Sequence, residues 1–181
     1  LQTAGKSVMA IPLGSSYQEP GYSAELNGED VTSQVTVLGN VNTSQKGAYT
    51  LTYSIKNSDG ISAKATRTVV VYDANSKYDG LYLVTADSYR VASATAAYGR
   101  QFTVFVTDNG NGTASVSDLL GGWYEQRAGY GAKYAAVGTI SVAADGTLGL
   151  VNSGVEGWGD SLDDLKGTVD LATGNIELVS V

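Results

Sequence analysis

The sequence predicts an all-β protein, in which an N-terminal β-sandwich precedes an antiparallel meander that forms a small barrel or a barrel-like sandwich. The 181 residues include 23 glycines but only 2 prolines, a composition suited to many tight turns. Short runs rich in Thr and Val alternate between apolar and polar residues, as strands do. Turn signals separate these runs at intervals of roughly ten residues, which is typical of sandwiches and barrels.

Four segments define the first domain, which the sequence predicts over residues 1–73. Residues 35–39 form a short strand with β-branched side chains. Residues 49–55 alternate strictly, so that one face of the strand carries Tyr49, Leu51, Tyr53 and Ile55. The Asn-Ser-Asp-Gly turn at 57–60 is a hairpin signal, and residues 63–71 are therefore expected to return beside the preceding strand.

Several short motifs follow one another in this domain in a specific order. They are Gly14, Tyr17, Pro20-Gly21, Asp30-Val31-Thr32, Gly47, Tyr49, Thr52-Tyr53, Asp59-Gly60 and the Thr-Arg-Thr-Val-Val-Val run at 66–71. In this order they resemble the bacterial immunoglobulin-like repeat of the DUF5011 and HYR-like type. The resemblance implies an immunoglobulin-like β-sandwich that serves as a spacer or presentation module on a cell surface.

Residues 74–77 form a short, polar linker to a second domain, which is predicted over residues 78–181. Consecutive hairpins predict an antiparallel meander of about seven or eight strands there, which must close or fold over to bury its apolar face. The predicted strand pairs are 102–107 with 113–116, 138–142 with 147–151, and 165–171 with 175–179.

Two segments of the second domain interrupt the meander. Residues 117–134, SDLLGGWYEQRAGYGAKY, are predicted to form a long, shaped loop, because their scattered glycines disfavour a regular helix and no alternation suggests a strand. Residues 159–165 are the one stretch expected to hold a turn of helix. Asp160 or Ser161 would be its N-cap, with acidic residues in the first turn.

Two phrases of this domain carry a second resemblance. Residues 117–140 and 157–176 are similar to the C-terminal β-barrel domain of DUF5012-type proteins. Those proteins are surface lipoproteins of Gram-negative gut bacteria, often encoded beside starch-utilisation-type glycan import systems. The resemblance implies a location at the cell surface or outer membrane of a Gram-negative bacterium, on its extracellular or periplasmic face. Membrane attachment is expected only through a lipid anchor that is not present in this chain.

The composition excludes several classes of chemistry. Without Cys or His, the chain has no disulfides, no thiolate or imidazole metal ligands and no Ser-His or Cys-His nucleophile pair. The net charge is −7, and residues from Lys77 onward contribute twelve acids and six bases, or −6. This acidic half without a Lys/Arg cluster argues against nucleic-acid and anionic-membrane partners. No cofactor is expected.

Two acidic turns bear on the question of a metal site. Glu29 and Asp30 could bind calcium or simply form a hydrogen-bonded turn, and the turn is favoured because Ca²⁺ needs about six or more oxygen ligands. The Asp-Asn-Gly-Asn-Gly sequence at 108–112 lacks the Glu that closes a calcium loop, since Leu119 stands at that position. No metal site is therefore predicted.

Aromatic and polar residues of the loop and of the Gly-Trp-Gly turn are the candidate ligand-binding groups. Flat rings can stack on the C–H faces of sugars, and neighbouring polar groups can bind the hydroxyls. The candidate rings are Trp123, Tyr124, Tyr130, Tyr134 and Trp158, and the candidate polar groups are Glu125, Gln126, Arg127 and Asp160. The alternative, which is favoured for Trp123 and for Trp158 taken singly, is that these rings plug the barrel end or pack beneath the loop. The segment 124–130 at the loop tip is the better functional candidate.

Six acidic residues allow an enzymatic interpretation, because two facing carboxylates suffice for glycoside hydrolysis. They are Asp118, Glu125, Glu156, Asp160, Asp163 and Asp164. Solvated turns and a helix cap are the favoured alternative, and no catalytic residue is predicted.

The sequence thus indicates a non-catalytic surface lipoprotein module that captures or presents glycans or polysaccharides. The first alternative is a structural or protein-interaction subunit that contacts other surface proteins, and a carboxylate glycosidase ranks third.

Overall fold

The computed structural model describes all residues from Leu1 to Val181. The chain divides into two compact units, Leu1–Tyr72 and Asp73–Val181. Regular structure is almost entirely β-strand, so the predicted all-β class is confirmed. None of the helical segments combines the length and the apolar character needed to cross a membrane.

The first unit is organised around one four-stranded sheet. The unit as a whole contains eight strands: β1 (Gln2–Thr3), β2 (Val8–Pro12), β3 (Tyr22–Ser23), β4 (Glu25–Leu26), β5 (Glu29–Asp30), β6 (Thr36–Leu38), β7 (Gly47–Lys56) and β8 (Ser62–Tyr72). The sheet has the order β2-β8-β7-β6, in which β2 runs parallel to β8 and the other pairs are antiparallel. Two small sheets, β1-β3 and β4-β5, complete the unit.

The long hairpin β7-β8 confirms the strand and turn predicted between residues 49 and 71. Lys56 pairs with Ser62 across the turn. There Gly60 adopts a φ of 83° and the Asn57 side chain accepts the Ile61 N–H at 2.8 Å. Leu51 and Tyr53 are buried while the residues between and beyond them are more exposed, as the alternation predicts.

Arg67 of β8 is the fully buried centre of a polar network in the first unit. Its guanidinium donates to the backbone oxygens of Lys6, Ala4 and Gly21 and lies 3.2 Å from the Glu19 carboxylate. The Glu19 carboxylate also accepts hydrogen bonds from the hydroxyls of Tyr17 and Tyr53. Residues from β7, β8 and two N-terminal segments thus meet on one side chain. The cluster satisfies a buried charge that would otherwise be costly.

The second unit is an antiparallel meander of seven strands. These are β9 (Gly80–Val84), β12 (Phe102–Asp108), β13 (Thr113–Val116), β14 (Val137–Val142), β15 (Thr147–Gly154), β16 (Leu165–Val169) and β17 (Ile176–Ser180). They follow one another in the sheet in chain order, from β9 at one edge to β17 at the other. The three strand pairs predicted from the sequence are all present. Because β9 and β17 do not pair, the sheet is a half-barrel and the unit is barrel-like rather than closed.

One face of this sheet carries the core of the second unit. The buried side chains are Val104, Val106, Ala114, Val116, Leu119, Ala136, Ile140, Leu148, Val155, Leu165 and Val169. Leu119, Ala136 and Val155 belong to segments that flank the strands, and their burial ties the long loop and the Gly-Trp-Gly turn to the sheet. The core therefore determines where the candidate site can lie.

The helical segments differ from the sequence prediction. Residues 159–165 contain no helical turn, because Asp160 forms a β-bridge with Val155 instead of capping a helix. Helical turns occur at Thr32–Gln34, as a π-helical turn at Trp123–Arg127 and as a 3-10 turn at Ala132–Tyr134. The last two lie in the segment expected to be a loop, where the flanking glycines with positive φ allow tight turns although they disfavour a regular helix.

Both acidic turns considered for calcium form hydrogen bonds within the protein. Asp30 accepts the Thr32 N–H at 2.8 Å. Asp108 accepts the Gly110 N–H at 2.8 Å and the Ser76 hydroxyl at 2.7 Å. The structure shows no group of three or more acidic residues that could hold a metal ion. Ser76, in the segment expected to link the two domains, therefore belongs to the hydrogen-bond network of the second unit.

A further hairpin was not expected from the sequence. It consists of β10 (Tyr89–Val91) and β11 (Thr95–Ala97), which pair with each other and with no other strand. Most of its residues are exposed, so the alternation of buried and exposed positions that reveals a strand is absent here.

Candidate functional site

Asp118 anchors the segment that carries most of the predicted site residues. Its fully buried carboxylate accepts the backbone N–H groups of Leu120, Gly122 and Ala136 at 2.9, 2.9 and 3.1 Å. Burial raises the pKa of the Asp118 carboxyl, and the three hydrogen bonds oppose that rise. One side chain thus joins both ends of the loop, and its role is structural because none of its oxygens faces solvent.

The π-helical turn that follows Asp118 is shaped by Gly122 and Gln126. Gly122 has a φ of 84°, and a Cβ added there would lie only 2.9 Å from the Gln126 amide nitrogen. The Gln126 side chain donates to the Thr103 carbonyl at 2.7 Å and accepts the Thr103 N–H at 3.1 Å. Gln126 therefore holds the turn against β12, and its side-chain amide is engaged with the Thr103 backbone.

Trp123 lies beneath the loop and not on its surface. Only 8% of the residue is exposed, and its ring meets Tyr98 edge-on with 5.0 Å between centroids. The Arg127 guanidinium covers the ring at 4.1 Å. The structure thus corrects the expectation that Trp123 stacks on a ligand, because its faces are covered by other side chains.

Four aromatic side chains form a continuous cluster, which we call the aromatic surface: Tyr124, Tyr130, Tyr134 and Trp158. The ring of Trp158 lies 4.6 Å from that of Tyr124 and 4.9 Å from that of Tyr134. Tyr130 is 5.4 Å from Tyr134 and stacks against Tyr124 at 6.1 Å. Trp158 is 48% exposed and Tyr130 is 57% exposed, whereas the other two rings are half-buried. Two rings of the cluster therefore remain about half exposed to solvent.

The Gly-Trp-Gly turn brings Trp158 to the loop. The Val155 carbonyl accepts the N–H groups of Trp158 and Gly159, and the Gly157 N–H donates to the Lys133 carbonyl at 2.7 Å. A Cβ at residue 157 would lie 2.5–2.8 Å from three ring atoms of Tyr134. Glycine is needed at this position because the Tyr134 ring occupies the space of a side chain.

Replacing Gly157 by alanine is expected to displace Tyr134 and separate it from Trp158, because the new methyl group would overlap the ring. We expect a loss of stability of about 1–3 kcal/mol, as for overpacked sites, together with a red-shifted tryptophan emission. Urea denaturation and fluorescence spectroscopy would measure both. Gly154→Ala is the matched control, since no atom lies within 4 Å of a Cβ there. Equal behaviour of the two variants would contradict this account of the turn.

The polar residues predicted for the site differ in exposure and in their contacts. Glu125 is half-buried, and burial followed by the nearby charge of Asp118 raises the pKa of its carboxyl. Arg127 is exposed and donates from Nε to the Tyr98 carbonyl at 3.1 Å. Asp160 is exposed and accepts the Ser161 N–H at 2.8 Å. Glu125 follows Tyr124 directly in the chain, and Asp160 lies two residues after Trp158.

Arg90 is a further residue of the site that the sequence did not indicate. It projects from the unexpected hairpin β10-β11, and its guanidinium lies 5.6 Å from the Tyr124 ring and 5.8 Å from the Trp123 ring. The only sequence signal is the pair of short runs Tyr-Arg-Val and Thr-Ala-Ala around a small-residue turn. That signal is too weak to predict the hairpin, and it says nothing about its proximity to the loop.

Two of the six acidic residues considered for catalysis are held by contacts within the protein. Asp118 is buried, and Asp164 accepts the Leu165 N–H and pairs with Lys166 at 3.3 Å. A shallow depression of about 450 Å³ contains Glu156 as its single carboxylate; its walls are Ala132, Lys133, Ala135, Val137, Asn152, Ser153, Gly154 and Glu156. A glycosidase needs two carboxylates flanking one bond, and this depression offers one.

Comparison with known proteins gives a consistent assignment for both units. The family model of the bacterial surface protein Ig-like domain matches residues 1–71, and that of a C-terminal domain family matches residues 71–181. The crystal structure of the lipoprotein BT2262 from Bacteroides thetaiotaomicron is similar to this chain, with 38% identity and a TM-score of 0.87. The alignment covers 99% of this chain and 92% of that one. The expected immunoglobulin-like first domain is thereby confirmed.

A second solved structure is too dissimilar to this chain to indicate its fold or function. A structure of CBM51-2 in complex with GlcNAc and INT domains from Clostridium perfringens ZmpB aligns at 14% identity and a TM-score of 0.32. It covers 56% of this chain and 28% of the other. A search of the curated proteins found no match.

Proposed function

This chain belongs to the family that includes the lipoprotein BT2262, and we propose that it is a non-catalytic module of the bacterial cell surface that captures or presents glycans. The observation that carries the proposal is the aromatic surface. Trp158 and Tyr130 expose about half of their area beside two supporting tyrosines. Exposed rings in contact with one another suggest a binding site, because large apolar side chains at a surface normally scatter singly.

The arrangement of the rings suits a carbohydrate. The Trp158 ring meets Tyr124 at 86°, Tyr130 at 87° and Tyr134 at 62°, and 48% of the residue remains exposed, so part of its surface is open to a ligand. A pyranose presents C–H groups on its faces and hydroxyls at its rim. The rings of Trp158 and Tyr130 would bind the faces, and Glu125, Arg127 and Asp160 would bind the rim.

The first unit would serve as a spacer that holds the aromatic surface away from the cell. The second unit alone carries the proposed site. A lipid anchor would attach the protein to the outer membrane of a Gram-negative bacterium. The resemblance to proteins associated with starch-utilisation-type import systems further suggests that captured glycans pass to a transport complex.

A second candidate function is a protein-interaction subunit. The hairpin β10-β11 exposes Tyr89 and Val91 by 67% and 66%, and no other strand covers it. Such unpaired, apolar hairpins can add to a sheet edge of another chain. In this alternative, other surface proteins would bind the hairpin and the aromatic surface would have no ligand.

Affinity gel electrophoresis against a panel of neutral and acidic polysaccharides tests the proposal. Wild type is expected to be retarded by at least one polysaccharide. Trp158→Ala and Tyr130→Ala are each expected to weaken that binding by about tenfold, the effect of losing one stacking ring. Tyr89→Ala is the matched control, since this exposed tyrosine pairs with none of the four rings. Absence of retardation on every polysaccharide, or variants that bind as wild type does, would reject the proposal.

A further inference from the structure

We propose that the aromatic surface binds an anionic glycan, whose carboxylate or sulfate groups are held by Arg90 and Arg127. This inference rests on the proposed function and narrows its ligand class. Two arginines from distant parts of the chain meet on one aromatic ring, since both guanidinium groups lie within 6 Å of Trp123. The convergence adds two positive charges to the edge of a surface suited to sugar rings.

Arg90 is the more available of the two arginines. It is exposed, and its side chain makes neither a hydrogen bond nor an ion pair with another residue. Its contacts are with the rings of Tyr124 and Trp123, which orient the guanidinium without using its N–H groups. All five donors can therefore turn towards a ligand, and a guanidinium matches a carboxylate or sulfate in bidentate geometry.

Arg127 is held in a more defined orientation. Its Nε donates to the Tyr98 carbonyl at 3.1 Å while the plane lies over Trp123 at 4.1 Å. These two contacts leave the terminal NH₂ groups without a protein acceptor. The buried Trp123, unsuited to sugar stacking, thus has a role as the support on which both cations rest.

The charges of the second unit make this pair of arginines unusual. The segment from Lys77 onward has twelve acids and six bases, yet neither Arg90 nor Arg127 pairs with any of those acids. An arginine that only supported the fold in such surroundings would be expected to pair with a nearby carboxylate. Two that do not are available for an anion supplied from outside.

The position of Arg90 also determines how a bound sugar would be oriented on the aromatic surface. Tyr124 is close to both the Trp158 ring, at 4.6 Å, and the Arg90 guanidinium, at 5.6 Å, whereas Arg90 makes no cation–π contact with Trp158. The acidic residues Glu156 and Asp160 flank Trp158 in the chain. A bound sugar would place its anionic substituent at the Tyr124 end, and its hydroxyls at the Trp158 end, where carboxylates accept hydrogen bonds.

Matched polysaccharide pairs test the inference on the full chain. Comparing the binding of polygalacturonate with that of its methyl-esterified form measures the contribution of carboxylate groups. Comparing dextran sulfate with dextran measures the contribution of sulfate groups. Affinity electrophoresis and calorimetry at several salt concentrations are expected to show tighter binding of one acidic form by roughly tenfold or more, as charge-assisted hydrogen bonds allow. The pair that shows the preference identifies which anionic group is bound.

Variants assign that preference to the two arginines. Arg90→Gln, which removes an exposed and unbonded side chain, is expected to abolish most of the preference and to reduce the salt dependence. Arg127→Gln should act similarly, while Lys77→Gln, which removes a positive charge from the same unit, should leave binding unchanged. Preserved acidic preference in both arginine variants would overturn the inference.

The neutral polysaccharides separate this inference from the proposed function. If neutral glycans bind as tightly as acidic ones and Trp158→Ala abolishes that binding, the anionic ligand class is wrong and the glycan function stands. If no polysaccharide of either kind binds, both fall.

Discussion

Replacing Arg67 by alanine is expected to destabilise the first unit by about 3–5 kcal/mol, because three backbone carbonyls lose hydrogen bonds from a charged donor, each worth about 1.5–3 kcal/mol before the structure relaxes. The guanidinium is fully buried and donates to the carbonyls of Lys6, Ala4 and Gly21. Without it, these acceptors and the Glu19 carboxylate lose their shared donor. The N-terminal segments that converge on Arg67 should then detach from β8.

Hydrogen exchange followed by mass spectrometry on the full chain would measure this effect segment by segment. Peptides covering β1, β2 and residues 17–23 should exchange much faster in Arg67→Ala than in wild type. Arg67→Lys should show an intermediate effect, because an ammonium keeps the charge but cannot reach three carbonyls and a carboxylate in one plane. The control is Lys64→Ala, an exposed position on the same strand. Wild-type exchange rates in Arg67→Ala would show that the network does not hold these segments.

Replacing Asp118 by alanine is expected to destabilise the second unit by about 3 kcal/mol and to loosen the loop that carries Tyr124 and Tyr130. Three backbone N–H groups would lose their acceptor, and each unsatisfied buried donor costs about 1–3 kcal/mol before relaxation. Because the carboxylate joins Leu120 and Gly122 to Ala136, its loss opens the loop at both ends. Ligand binding should therefore weaken even though Asp118 never touches a ligand.

Tryptophan fluorescence during urea denaturation gives a direct measurement, because Trp123 and Trp158 are the only tryptophans and both lie in the second unit. Asp118→Asn should be intermediate in stability, since its amide keeps one acceptor oxygen but turns an NH₂ group towards a backbone donor. Asp163→Ala, at an exposed acidic position, is the control. An Asp118→Ala variant within about 0.5 kcal/mol of wild type would contradict the anchoring role.

The strands were predictable because their signals are local. Strict alternation at residues 49–55 and the Asn-Gly and Asp-Gly turns operate over a few neighbouring positions, and the hairpins formed where these signals occur. The hairpin β10-β11 escaped prediction because its residues are exposed on both faces. The turn of helix expected at residues 159–165 is absent because a tertiary β-bridge between Val155 and Asp160 takes precedence over a local capping preference.

The site was predictable in composition but not in arrangement. Trp123 and Trp158 both follow a glycine and both lie in glycine-rich segments, so the sequence does not distinguish them. Only packing does: Trp123 turns inward against Tyr98, and Trp158 turns outward against Tyr124 and Tyr134. Arg90 could not be placed at the site from sequence, because the hairpin that carries it is separated from the loop by two strands.

By itself, the sequence determined the all-β class, the two-part organisation, the acidic second half and the absence of thiol and imidazole chemistry. All of these depend on residue identity or on neighbours a few positions apart. The tertiary structure alone decided which rings face solvent, which acids are buried and which arginines remain unpaired. The physical reason is that these properties come from contacts between residues far apart in the chain, such as Tyr124 with Trp158 and Asp118 with Ala136, which exist only once the half-barrel has folded.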